Sequence, residues 1–139
     1  MNKVRKVIDR FPAWSFTIAT SVLILWLTLA PHPVGELKMG LFPGADKVVH
    51  AIMFGALTGA MLLDYERRRG WQTAGAGFVA LAVATGTMAG VVIEFAQEAM
   101  HIGRSFDVAD MVADFVGAFI TGVLWHIIRL KIDGGKEKS

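Results

Sequence analysis

The 139-residue sequence contains no cysteine and few charged residues. Without cysteine, the chain can form neither a disulfide nor a zinc site built on thiolates. It also lacks the HExxH, GxSxG and paired-cysteine motifs of common hydrolases and redox proteins. Only 19% of the residues are charged and 54% are hydrophobic, a balance too apolar for an ordinary soluble domain. The first class to consider is therefore that of membrane proteins.

Four apolar segments are candidates for membrane-spanning helices. A bilayer hydrocarbon core about 30 Å thick requires roughly 20 mainly apolar helical residues. The segments cover residues 11–30, 48–63, 71–96 and 108–128, and they leave only short connections. The sequence therefore predicts a single all-α domain over residues 1–139, in which four transmembrane helices form an antiparallel bundle.

The lysines and arginines are distributed unevenly along the chain. Eleven of the 14 fall in clusters at 3–10, 67–69 and 129–138, and four passes would bring these clusters to one side of the membrane. The positive-inside rule then predicts that both termini are cytoplasmic. The clusters lack interleaved aromatic residues, so contact with anionic lipid is favoured over nucleic-acid binding. A basic N-terminus before an apolar run is also compatible with a signal peptide, although this run is long for one.

The stretch 90–114 concentrates polar residues between the third and fourth apolar segments. Glu94 and Gln97 lie near the end of the third segment, and Asp107, Asp110 and Asp114 open the fourth. Charged groups at membrane depth cost free energy unless they pair, protonate or bind a ligand, so they indicate a functional site. Asp107 and Asp110 also have the spacing of a capping box, but Asp114 lies about 10 Å deeper than Asp107, beyond the reach of capping.

The second apolar segment opens with a polar group of its own. Asp46 is well placed to cap the helix, Lys47 follows it, and His50 lies one turn further on the same face. Small residues at Gly55 and four positions later predict close packing against a neighbouring helix. Residues 64–70, after this segment, are predicted to form a short polar turn on the cytoplasmic side.

Short connections place the polar ends of the last three helices on the same side of the membrane, opposite the basic clusters. Gly86, Gly90 and Glu94 recur every four residues, which predicts that another helix approaches closely beneath the polar groups. Ten residues form the predicted ligand-binding site: Asp46, Lys47, His50, Glu94, Gln97, Arg104, Ser105, Asp107, Asp110 and Asp114.

Three motifs within this set resemble the VanZ-like family of small bacterial membrane proteins, and the similarity covers residues 46–124. The resemblance implies a location in the bacterial inner membrane and a link to teicoplanin resistance or envelope homeostasis. The family pattern usually has asparagine where this chain has Asp114, which implies a more acidic site here. The motifs are DKxxH from Asp46, IExxQ from Ile93 and GRSFDxxD from Gly103.

Binding of a lipid-linked ligand is the first function compatible with this site. A phospholipid, a polyprenyl-linked cell-wall precursor or a glycopeptide could present its headgroup to Arg104, Lys47 and His50, and arginine suits bidentate capture of phosphate. Acids outnumber fixed cations, so phosphate would need protonated carboxyls or a bridging divalent cation. A cationic amine or a sugar is equally compatible with the acids.

Two further functions use the same residues differently. An intramembrane hydrolase or transferase could use His50, Glu94 and Asp110 as catalytic groups, or these three with Asp46 as metal ligands, on a phospholipid or polyprenyl-phosphate headgroup. A structural protein could use the charges as an ion-pair network that fixes helix order for a partner protein. Because no catalytic motif supports the enzyme, we expect binding rather than catalysis, with a divalent cation as the one cofactor to consider.

Overall fold

The structure, a computed structural model, describes residues 3–30, 43–101 and 106–136. Throughout these ranges the regular structure is helical, with no strand. The all-α prediction is therefore confirmed for the described part of the chain. The helices are α1 Lys3–Ile8, α2 Ser15–Leu29, α3 Ala45–Arg68, α4 Ala76–Met100 and α5 Val108–Lys136.

Helices α2 to α5 run in alternating directions, so their ends gather at two opposite ends of a bundle. Near one end, Asp64 of α3 accepts hydrogen bonds from Thr17 of α2. Near the other, Gln97 of α4 donates to the carbonyl of Thr28 of α2. We name the end formed by the start of α3, the end of α4 and the start of α5 the acidic end, and the opposite end the basic end. Helix α1 lies at the basic end, where Arg67 donates to its last carbonyl.

Three helices, α3, α4 and α5, are long and apolar enough to cross a membrane. Helix α2 is also apolar, but its 15 residues span only about 22 Å, less than a bilayer core of about 30 Å. It begins at Ser15 and not at residue 11, because Trp14 has a left-handed backbone conformation with a φ of 62°. Four spans stay a prediction; three helices of spanning length are found.

The connection between α3 and α4 differs from the predicted one. The expected polar turn over 64–70 is wrong, since α3 continues as a helix to Arg68. Gly70 and Trp71 then have positive φ values of 65° and 67°, which end the helical path. Helix α4 consequently begins at Ala76 and not at residue 71.

Helix α3 packs against α2, α4 and α5, and its approach to α5 is particularly close. A Cβ atom added at Gly117 of α5 would lie 1.9 Å from the carbonyl oxygen of Ala51 of α3, a separation that no pair of atoms tolerates. Only glycine permits this backbone contact. The contact holds the polar face at the start of α5 directly against that of α3.

Candidate functional site

Lys47 lies at the centre of a carboxylate cluster at the acidic end. Its Nζ donates to Asp46 Oδ2 at 2.7 Å, to Asp107 Oδ2 at 2.7 Å and to Asp110 Oδ1 at 2.9 Å. An ammonium group has three N–H donors, so these carboxylates use all of them. The hydrogen bond from Lys47 lowers the pKa of Asp107 below its ordinary value. Lys47 therefore joins α3 to α5 and has no donor left for a ligand.

The helix starts at the acidic end differ from the predicted caps. Asp46 is not the cap of α3, because the residue before the helix is Gly44 and no side chain caps it. Asp107 does cap α5, since its Oδ1 accepts from the backbone amide two residues later at 2.8 Å. The capping box is incomplete, however: the Asp107 amide donates to Glu94 Oε2 at 3.0 Å, and the carboxylate of Asp110 is bound to the lysine instead.

His50 lies one turn deeper than this cluster and is held by Asp114. The His50 Nδ1 atom is 3.0 Å from Asp114 Oδ1, and its Nε2 atom is 3.9 Å from Asp110 Oδ2. Asp114 is 0% exposed, and its Oδ2 has no hydrogen-bond partner among the described residues. Gly90 provides the space for this oxygen, because a Cβ atom there would lie 2.2 Å from it. Asp114 is thus a buried acceptor that fixes the orientation of the imidazole.

Glu94 is 1% exposed and only one of its carboxylate oxygens is bonded. Oε2 accepts from the Asp107 amide, while Oε1 has no hydrogen-bond partner within the described parts of the chain. One potential ligand atom each from Glu94, His50 and Asp110 lie within 4.8 Å of one another. A second acidic triad of the same kind contains Asp107 and Asp110, but the Lys47 ammonium is bonded to all three of its members.

The structure brings together most of the predicted site residues. Gln97 faces away from the carboxylates, because its Nε2 donates to the Thr28 carbonyl at 2.9 Å. Arg104 and Ser105 lie outside the described residues. That these residues bind a ligand stays a prediction. The residues found together are Asp46, Lys47, His50, Glu94, Asp107, Asp110 and Asp114.

The sequence reasoning missed a second buried polar network, which lies at the basic end. Asp64 Oδ1 accepts from Arg67 Nη2 at 2.9 Å, and Glu66 Oε2 lies 2.7 Å from Arg129 Nε. Glu66 Oε1 also accepts from an indole N–H and a backbone amide. Two acids thus face two arginines, and all four residues are buried. The available signal was the spacing of Asp64 and Arg67, three positions apart at the end of an apolar segment.

Two apolar grooves open on the sides of the bundle. One, with a volume of about 570 Å³, lies between α4 and α5, and the other, of about 480 Å³, lies between α2, α3 and α4. Phe54 and Ile93 line the second groove. Phe54 also stacks against His50 with 6.3 Å between ring centroids, and Ile93 directly precedes Glu94. The second groove therefore adjoins the buried residues of the acidic end.

A comparison with protein families finds one match along most of the chain. The family model described as VanZ/LLP1 matches residues 2–129. This range contains all the residues of the acidic end and the buried acids and arginines of the basic end. No curated protein matches the chain, and no solved structure does so either.

Proposed function

This chain belongs to the VanZ/LLP1 family, and we propose that its acidic end binds the headgroup of a lipid-linked ligand of the bacterial cell envelope. Family membership and three helices of membrane-spanning length support a membrane protein. The ligand class is a phospholipid or a polyprenyl-linked cell-wall precursor. Binding such a molecule would link the protein to teicoplanin resistance or to envelope homeostasis.

The observation that carries this proposal is the unbalanced burial of carboxylates. Glu94 and Asp114 are both buried, and each has one oxygen without a hydrogen-bond partner among the described residues. Burying a carboxylate without full hydrogen bonding costs several kcal/mol. A ligand that brings hydrogen-bond donors or positive charge offsets this cost, whereas an apolar neighbour does not.

The charges also indicate which parts of a headgroup fit. Lys47 is bonded to three carboxylates, so it does not capture phosphate as the sequence suggested. The excess of acid favours sugar hydroxyls, ammonium groups or a phosphate joined through a divalent cation, and disfavours a bare phosphate. Arg104 retains its predicted role as a phosphate ligand, outside the described residues.

The groove between α2, α3 and α4 supports a ligand with a hydrocarbon chain. It adjoins both His50 and Glu94 through their neighbours Phe54 and Ile93. At membrane depth the surrounding medium is hydrocarbon, so a lipid chain enters this groove without losing water contacts. A lipid with its chain in the groove has its headgroup at the acidic end.

We place the acidic end at the outer face of the bacterial inner membrane and both termini in the cytoplasm, with α2 as a fourth pass. The basic end carries the run Arg67 to Arg69 at the end of α3, and further basic residues lie near both chain termini. An excess of arginine and lysine in short loops marks the cytoplasmic side of membrane proteins.

The test compares two glutamates on the same helix in bacteria that express the protein. Glu94→Gln is expected to abolish the protein's effect on teicoplanin susceptibility and to reduce the lipid that co-purifies in native mass spectrometry at least tenfold. Arg104→Ala is expected to act in the same way. Glu98→Gln is the control, because Glu98 is exposed and bonds only the backbone amide of Phe106 among the described residues. Unchanged susceptibility and lipid content in Glu94→Gln, at normal protein levels, would contradict the proposal.

A hydrolase is the second candidate, favoured by the contact between His50 and Asp114. A carboxylate 3.0 Å from Nδ1 orients an imidazole so that its other nitrogen can act as a general base. Such an enzyme would release phosphate or an alcohol from a phospholipid or a polyprenyl phosphate, and His50→Ala would abolish the release. Chromatography of these lipids after incubation with purified protein separates turnover from binding.

A further inference from the structure

The two acidic triads at the acidic end differ in whether a cation already lies among them. The triad that includes Asp107 surrounds the ammonium of Lys47 at distances of 2.7 to 2.9 Å. The triad of His50, Glu94 and Asp110 has no lysine or arginine bonded to Glu94 or His50 among the described residues. The second triad therefore lacks the positive charge that the first one has.

Glu94 points to a ligand independently of the clustering. It is 1% exposed, and its unpartnered Oε1 belongs to the group of ligand atoms that lie within 4.8 Å of one another. Around an ion with bonds of about 2.0 to 2.2 Å, ligand atoms lie roughly 3 to 3.5 Å apart. Side-chain rotations of about one ångström bring the three residues to that geometry.

His50 has the orientation of a metal ligand. When its Nδ1–H donates to Asp114 Oδ1 at 3.0 Å, the lone pair of Nε2 is left on the side of Asp110, whose Oδ2 is 3.9 Å away. Histidines that bind metals commonly donate their second ring N–H to a carboxylate, which fixes the ring and raises its basicity. Asp114 is thus a positioning residue and not itself a ligand.

We propose that His50, Glu94 and Asp110 bind one divalent metal ion, with Asp114 orienting His50. One imidazole and two carboxylates suit Mn²⁺ or Zn²⁺ better than a soft ion such as Cu⁺ or an all-oxygen site for Ca²⁺. The ion compensates the negative charge of three buried or half-buried acids. Three protein ligands leave coordination positions open, and a phosphate of the headgroup binds there; this last step alone rests on the proposed function.

Mn²⁺ is the probe for the first test, because its electron paramagnetic resonance signal distinguishes free from bound ion. Full-length protein in lipid nanodiscs is stripped of metal with a chelator and titrated with Mn²⁺ alone. We expect one bound ion per chain and a nitrogen coupling from one imidazole in the pulsed spectrum. Absence of saturable binding, or a bound ion without nitrogen coupling, overturns the site, and both results come from the wild-type protein.

Variants assign the ligands. His50→Ala and Glu94→Gln are each expected to weaken Mn²⁺ binding at least tenfold, and Asp114→Asn to weaken it by about 10- to 100-fold through the lost orientation of His50. Glu98→Gln is the matched control and is expected to bind Mn²⁺ as the wild type does. Equal affinity in Glu94→Gln and the wild type refutes the assignment. Circular dichroism of each variant confirms helix content before it is titrated.

A final pair of measurements separates this inference from the proposed function. Binding of a short-chain polyprenyl phosphate is measured with Mn²⁺ and again with excess chelator. Loss of lipid binding in chelator supports the bridging role of the metal. Lipid binding that is unchanged in chelator overturns that role and leaves the proposed function intact. Metal binding without any lipid binding supports the site and contradicts the proposed function.

Discussion

The two ends of the bundle bury the same types of residue with opposite charge balance. At the basic end, Asp64 and Glu66 are buried with Arg67 and Arg129, so each acid has a cation beside it. At the acidic end, the buried ionisable groups of the described residues are two carboxylates and one histidine, listed as His50, Glu94 and Asp114. Balanced charge is what a network that only joins helices requires, and an excess of one sign indicates a ligand.

The largest expected effect breaks the balance at the basic end. Glu66→Gln leaves Arg129 buried without its counter-charge, and loss of one partner of a buried ion pair costs about 3–5 kcal/mol. We expect the free energy of unfolding in detergent to fall by that amount, measured by denaturant titration of tryptophan fluorescence. A loss below about 1 kcal/mol would mean that this network does not stabilise the bundle.

The second effect disturbs the acidic end through packing. Gly90→Ala places a Cβ atom 2.2 Å from Asp114 Oδ2, so the carboxylate must move away from His50. Overpacking of this kind costs about 1–3 kcal/mol. We expect Mn²⁺ and lipid binding to be lost together with this modest destabilisation.

Gly77→Ala is the control for that variant, because no atom lies within 4 Å of a Cβ atom built at Gly77 on the same helix. It is expected to leave binding unchanged and stability unchanged or slightly higher. Equal binding by the Gly90→Ala variant and the wild type would show that the position of Asp114 is not critical.

The third effect sharpens the comparison by making at the acidic end the substitution already made at the basic end. Glu94→Gln keeps an oxygen that accepts from the Asp107 amide and removes a buried negative charge that has no fixed cation beside it. We expect the free energy of unfolding to change by less than about 1 kcal/mol, or to rise, while function is lost. A loss as large as that expected for Glu66→Gln would place Glu94 in a structural network instead.

The smallest effect concerns the exposed part of the acidic end. Lys47 lowers the pKa of Asp107, so this pair contributes its stabilisation above the unfolded pKa of about 3.9 and loses it as the pH falls through the lower folded value. Asp107→Asn is expected to remove this component of the acid sensitivity of unfolding and to change stability little at pH 7, because the pair is solvent-screened. Identical acid denaturation curves for the two proteins would exclude this contribution.

The sequence predicted the helices better than it predicted their ends. Apolar length identified α3, α4 and α5, since hydrophobicity over some 20 residues survives any error in detail. The starts of α2 and α4 were placed too early, because left-handed conformations at Trp14 and Trp71 are not encoded by residue type in the way that a glycine or a proline would signal them. Asp46 was assigned as a cap for the same reason, although Gly44 precedes the helix.

The candidate site was predictable as a region and not as a set of contacts. Short connections and the motifs gathered Lys47, Glu94 and Asp110 at one end of the bundle. Spacing could not show that Lys47 would be saturated by Asp110, which lies 63 positions away in the chain. Nor could it show that Gln97 would turn toward α2, since the rotation of a helix about its own axis depends on all of its neighbours.

By itself, the sequence determined that this protein is a helical membrane protein with acids gathered at one end and arginines at the other. These properties follow from composition and order along the chain, which set hydrophobic length and the distribution of charge. The tertiary structure alone decided which end is balanced. Ion pairing depends on distances of a few ångströms between helices, and those distances follow from the close contact that Gly117 permits between α3 and α5.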